Sequence, residues 1–245
     1  MSALLAVRGL SKRFGGLVAL DRVEFQVAAG ELVGLIGPNG SGKTTLLNLL
    51  SGFYAADAGD AVFDGMRIGG RTPADLSRLG IARSFQVTKV FRRLSVLENL
   101  LVPGLVAWRT SRREASQRAC AILERLDLAR LADQRAANLS GGQAKLLEFG
   151  RLMMLEPRLV LLDEPFGGVH PDLKRLMYET IRTWNADGAA IALISHDMGA
   201  IFGLCRRVLV LRNGELIADG DAARVRDDPQ VLEAYLGDRH AAGSG

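Results

Sequence analysis

Apolar and polar positions change period several times along the chain, and those changes mark out its elements. The first third is β-like, with apolar runs at Leu4 to Val7, Val23 to Val27 and Leu32 to Ile36 separated by joints at Gly9, Gly15, Gly16 and Gly30. Leu46, Leu47, Leu49 and Leu50 then carry helical spacing. Ala61 to Phe63 and Met66 to Ile68 flank Asp64-Gly65, a strong hairpin signal. Thr72-Pro73-Ala74-Asp75 combines a cap, a proline at the first helical position and an early acid, and Gly80 closes the short helix it opens. Ile81 to Phe85 follows as a strand.

From Gln86 to Asn138 the period is helical, through Leu94, Leu97, Leu100 and Leu101 and then Ile122, Leu123, Leu126 and Leu128. Pro103-Gly104 is expected to break this segment into at least two helices, and Arg109 to Arg118 is polar enough to lie largely exposed. Leu139 to Gln143 opens another helix, which carries Leu146, Leu147, Phe149, Leu152 and Met153 and stops before Pro157. Leu159 to Leu162 and Ala189 to Ile194 are unbroken apolar runs, as parallel strands buried on both faces require. Val208 to Leu211 and Glu215 to Ala218 form a second hairpin around Asn213-Gly214, and a short helix through Tyr235 and Leu236 precedes a disordered Ala-Ala-Gly-Ser-Gly tail. The order predicts an α/β fold: a β-rich N-terminal part, a mainly parallel core sheet and an inserted helical segment.

Composition adds bounds. A chain of 245 residues, 48% hydrophobic, can bury a substantial core as one domain or two intimate lobes. No apolar run reaches the roughly 18 to 20 residues that span a bilayer, and the first residues lack a basic leader and a cleavage site, so a cytosolic chain is expected. Cys120 and Cys205 lack metal-site spacing and read as packing residues. The net charge of +4 is modest, but Arg78, Arg83, Lys89, Arg92 and Arg93 occur without an acid between them. That run reads first as a solvated face, and second as a docking surface for a membrane or partner; nucleic-acid binding stands behind both.

Chemistry concentrates after the third strand. Residues Gly37, Pro38, Asn39, Gly40, Ser41, Gly42, Lys43, Thr44 and Thr45 satisfy the phosphate-binding pattern G-x-x-x-x-G-K-[ST], in the strand–loop–helix context it requires. Glycines let the backbone turn successive N–H groups into one anion-sized hollow. The following helix adds its N-terminal dipole, Lys43 supplies a cation for β- and γ-phosphates, and the Thr44 hydroxyl is placed for magnesium. A nucleoside triphosphate with Mg2+ is the ligand this loop predicts. Asp163, Glu164 and His196 follow the two buried strands, where ligand chemistry collects beyond strand carboxyl ends. Alone, Gln86 reads as a solvated loop residue, His196 as a satisfied core histidine, and Phe14 as either a strand aromatic or a ring face for adenine.

Together, the loop, Gln86, the L-S-G-G-Q run at Leu139 to Gln143, Asp163-Glu164 and His196 resemble the ATP-binding-cassette (ABC) ATPases, in family order and across nearly the whole chain. The resemblance implies a P-loop NTPase of the ABC type forming a single domain over 1–245. Its core is expected at 1–86 and 151–219, a helical signature subdomain at 87–150 and a short extension at 220–245. It also assigns roles. Asp163 holds magnesium through water and Thr44 directly; Glu164 is the general base; His196 contacts the γ-phosphate; Gln86 senses metal and water and links to the transport partner; Phe14 stacks on adenine. Ser140, Gly141, Gly142 and Gln143 belong to the signature, which closes over the ATP of another subunit, so a homodimer or a heterodimer with a related ATPase is implied.

A narrower resemblance, to ATPases of branched-chain amino acid importers and their urea or amide relatives, rests on A-R-S-F-Q at 82–86, F-R-R-L-S-V-L-E-N-L-L-V at 91–102 and the ending D-D-P-Q-V-L-E-A-Y-L-G. It implies membrane permeases as direct partners, a solute-binding protein as an indirect one, no nucleic acid, and a peripheral position on the cytoplasmic face of the inner membrane. Two residues depart from the family pattern: His170 stands where asparagine or aspartate is usual, and Gly150 replaces a common alanine. A lipid or lipopolysaccharide exporter cassette and a soluble ABC protein acting on nucleic acid are the alternatives.

Overall fold

Two sheets with different chemistry organise the chain; the computed structural model describes residues 3–108 and 111–233. The segment through Tyr235 and Leu236 and the tail after it lie outside the described residues. The first sheet contains β1 (Ala3–Phe14), β2 (Leu17–Ala28), β4 (Ala58–Phe63) and β5 (Met66–Arg67), in the order β2-β1-β4-β5 and antiparallel throughout. β1 is longer than the apolar run that announced it: Gly9 is not a joint, and the strand passes through it with a register shift between Val7 and Leu10. The Asp64-Gly65 hairpin forms as expected, both residues taking positive φ.

The second sheet joins β3 (Leu32–Ile36), β6 (Ile81–Arg83), β7 (Leu159–Asp163), β8 (Ala190–Ile194), β9 (Arg207–Arg212) and β10 (Glu215–Asp221), ordered β10-β9-β3-β8-β7-β6. Only the β9–β10 pair is antiparallel. Every residue of β3, β7 and β8 is buried. Their side chains feed two separate cores: Leu159 and Leu161 pack toward the first sheet with Leu5, Val27 and Phe63, while Val160 and Leu162 pack among helices with Phe149, Ile181 and Trp184. This is the two-faced burial that continuous apolar runs in a parallel sheet demand.

Helix α1 (Lys43–Leu50) follows β3 directly and buries all four leucines. Short α2 (Pro73–Leu79) begins at a Thr72–Asp75 capping box and ends at Gly80 in the left-handed region. The expected break at Pro103-Gly104 does not occur, because both residues lie inside α3 (Val96–Trp108). A Cβ on Gly104 would stand 2.6 Å from Met154 Cε, so this glycine serves close helix approach rather than a turn. α4 (Arg112–Arg125) exposes Ser111 to Glu114 but buries Ala115 and Ala119. α5 (Gly141–Met153) packs against both α3 and α4. Two helices, α6 (Pro171–Ala186) and α7 (Met198–Leu204), were not foreseen from the pattern; α8 (Ala222–Arg226) follows β10, and residues 229–233 are helical up to the end of the described residues. Cys205 is buried as expected, whereas Cys120 is exposed on α4 and is no packing residue.

Candidate active site

The loop between β3 and α1 is built from glycines that nothing larger could replace. Gly37 has φ 151°, and a Cβ there would fall 2.1 Å from the Leu211 carbonyl oxygen at the end of β9. Gly42, the N-cap of α1, has φ 104°, and its Cβ would fall 2.5 Å from the Ala19 oxygen. Backbone on both flanks thus requires glycine at these two positions. Lys43 Nζ donates to the carbonyls of Gly37 (2.7 Å) and Pro38 (2.8 Å) and to Ser41 Oγ (3.3 Å). Burial lowers its pKa below the ordinary lysine value, and the charges of Glu164 and Asp163 oppose that shift.

At the carboxyl end of β7 stand the acids Asp163 and Glu164, and beyond β8 stands His196. Asp163 is buried, and its Oδ2 accepts from Arg83 Nη2 at 3.1 Å, leaving Oδ1. Arg83 is therefore not part of a solvated basic face, as its neighbours in sequence suggested. It is almost fully enclosed and also donates to Asn48 Oδ1 (2.6 Å) and Ser51 Oγ (2.9 Å) on the far side of α1. Burial lowers the Arg83 pKa, against the pull of Asp163. Ser84 Oγ accepts the backbone N–H of Asp163 at 2.9 Å. Arg83, Ser84, Asn48 and Ser51 are functional neighbours that the sequence reading missed; an arginine three residues before Gln86, in register with β7, was the available signal.

Glu164 adopts φ 48°, in the left-handed region, and donates its backbone N–H to the Ile194 carbonyl at 3.0 Å. Its Oε2 accepts the backbone N–H of His196 at 3.2 Å and lies 2.8 Å from His196 Nδ1. The imidazole is 79% exposed, so His196 is no satisfied core histidine.

A cavity of about 330 Å³ gathers Phe14, Asn39 to Thr45, Gln86, Asp163 and Glu164 on one wall system. Phe14 is exposed and meets Tyr54 edge-to-face at 5.3 Å, which leaves an aromatic corner at the mouth of the loop. The donor set suits a nucleoside triphosphate: an anion hollow, a lysine and an aromatic face lie in one cavity. Thr44 and Asp163 are hard oxygen donors, and with phosphate oxygens they could complete a Mg2+ shell.

Ser140, Gly141, Gly142 and Gln143 do not line this cavity. They form the start of α5, where Ser140 N–H donates to Gln143 Oε1 (3.0 Å) and Gln143 N–H to Ser140 Oγ (3.3 Å) in a reciprocal capping box. Gly141 has open space at its Cβ position, whereas Gly142 is packed on Leu173 of α6. The chain therefore carries a loop half and a signature half at separate places.

Comparison with known proteins gives the family. The "ABC transporter" family matches residues 20–167, and the "Branched-chain amino acid ATP-binding cassette transporter" family matches residues 215–241. A probable branched-chain amino acid transport ATP-binding protein, LivG, of Archaeoglobus fulgidus is 40% identical over 96% of this chain and 95% of its own. The high-affinity LivG protein of Escherichia coli is 37% identical over 96% and 98%. Among solved structures, the ADP conformation of an ATP-binding cassette of an ABC transporter superposes with a TM-score of 0.86 at 35% identity, covering 97% of this chain and all of that one. The protein belongs to the ATP-binding subunits of ABC transporters, in the branched-chain amino acid branch.

Proposed function

We propose that this chain is the ATP-hydrolysing subunit that energises a membrane importer for branched-chain amino acids or a related small polar solute. The observation that carries the reading is the single cavity shared by the phosphate loop, Gln86, Asp163 and Glu164, while the signature sits elsewhere on the chain. The loop N–H groups and Lys43 hold the β- and γ-phosphates; Phe14 offers its ring to the base. Mg2+, when bound, neutralises charge on the phosphates, and Thr44 with Asp163 would hold it. Glu164 is fixed by its backbone and by His196, so its carboxylate can orient a water and take its proton. His196 is exposed enough to meet the γ-phosphate beside it. Ser140 and the glycines after it act on the ATP of a second cassette, a copy of this chain or a related one. No described helix is long and apolar enough to cross a membrane. That fits a peripheral subunit held at the cytoplasmic face by permeases.

The test is co-purification of the chain with its permeases and solute-binding protein, followed by ATPase assays with single solutes. Stimulation by leucine, isoleucine, valine or a close analogue is expected. Stimulation by a lipid alone would favour the exporter alternative, and salt-sensitive nucleic-acid binding without permeases would favour the soluble one.

A further inference from the structure

The segment from Phe85 to Lys89 belongs to no helix or strand, yet it carries Gln86 into the nucleotide cavity. Something outside the segment must hold it. α5 reaches it twice, at positions three residues apart on one helix face. Glu148 Oε1 accepts the Phe85 N–H at 3.3 Å, and Arg151 donates a guanidinium N–H to the Lys89 carbonyl. The two bonds bracket Gln86. Glu148 is buried beside a cleft of about 330 Å³ in which Phe85, Val90 and Phe91 stand with Arg83, Lys89 and Arg151, so the carboxylate is held among partners that a buried charge requires. Arg151 lies 4.5 Å from the centre of the Phe91 ring, closing the far end. On the same helix, Lys145 donates to the carbonyls of Pro165 (3.2 Å) and Gly167 (2.6 Å), just after Glu164.

We propose that Glu148, with Arg151, is a positioning residue that fixes the Gln86 loop to the signature helix. The helix that presents Ser140 at its N-terminus thereby also sets where Gln86 stands in the chain's own ATP site. The proposal rests on the reading of Gln86 as a residue of the hydrolytic site.

The experiment compares Glu148→Met, which matches volume and removes the acceptor, with Glu148→Gln, which keeps one. Glu148→Met is expected to lower kcat for ATP about fivefold, roughly the worth of one hydrogen bond, with KM changed by less than about twofold. Glu148→Gln should restore kcat. In a Gln86→Ala background Glu148→Met should cost nothing further, because both act through one group. Equal losses in the two Glu148 variants, a KM effect, or additive losses in the double variant would overturn the positioning role. Gln86→Ala with wild-type kcat would instead sink the reading of Gln86; any loss from Glu148→Met in that case is structural, and the proposal falls with it. Should Glu148→Met not fold, amide exchange in the wild-type protein decides: a protected Phe85 N–H supports the clamp, and exchange at the free-chain rate removes it.

Discussion

Glu164 holds a carboxylate in backbone geometry that side-chain-bearing residues avoid, at a cost of about 1–2 kcal/mol. The Glu164 N–H to Ile194 and the two approaches from His196 hold it there, so the side chain is aimed by main chain rather than by rotamer choice. Glu164→Gln keeps size and geometry while removing the proton acceptor. Hydrolysis is expected to fall by about two orders of magnitude or more, with ATP affinity retained. Single-turnover kinetics and nucleotide titration check the two halves, and a variant turning over at the wild-type rate would exclude Glu164 as the base. Glu148 has a separate consequence for stability. Burial raises its pKa from 4.5 to about 7. The folded chain then holds more protons than the unfolded chain between those values, so this group's contribution is complete below the lower one and is lost as pH rises to the upper. Its full span is up to about 3 kcal/mol. Denaturant titrations of wild type and Glu148→Gln across this window should show the slope flattened in the variant.

At the scale of elements, the crowded point is Gly150, where α3, α4 and α5 meet. A Cβ there would stand 3.0 Å from Leu126 Cδ1, 3.2 Å from Ile122 Cγ2 and 3.3 Å from Leu100 Cδ2. Gly150→Ala gains up to about 1 kcal/mol in helix propensity but forces three side chains outward, which costs about 1–3 kcal/mol. A net loss of about 1 kcal/mol is expected in chemical denaturation, and a gain would show that the three neighbours can yield. The same element shows what the sequence could and could not convey. Continuous apolar runs located β3, β7 and β8 because burial on both faces leaves no other pattern, and these strands lead into the phosphate loop, the acids Asp163 and Glu164, and His196 in turn. Pro103-Gly104 misled because a turn signal and a packing notch use the same residues; only the neighbouring Met154 tells them apart. α6 was within reach, with His170 as cap, Pro171 at its first turn and Met177, Ile181 and Trp184 on one buried stripe. Arg83 was not, since its partners Asn48, Ser51 and Asp163 are distant in sequence and a basic run alone suggests solvent.

For the whole molecule, the separation of the signature from the nucleotide cavity makes association part of the chemistry on the proposed reading, in which Ser140 acts on a second cassette's ATP. The Glu164→Gln variant, loaded with ATP and Mg2+, is expected to sediment as a dimer and to return to monomer when nucleotide is removed. If the partner is a different cassette, the isolated chain stays monomeric under both conditions, and adding Ser140→Arg to the correct pair should abolish association. Dimerisation that ignores nucleotide would separate assembly from the ATP site.

β7 bears on how such a protein can change over time. Like those of β3 and β8, its alternate side chains serve two cores, and Asp163 and Glu164 emerge at its end. Loss or gain of one residue within Leu159 to Leu162 would exchange the occupants of both interiors at once and rotate the acids away from the loop. This strand's length is locked by two interiors simultaneously, so divergence within it is confined to swaps of one apolar side chain for another.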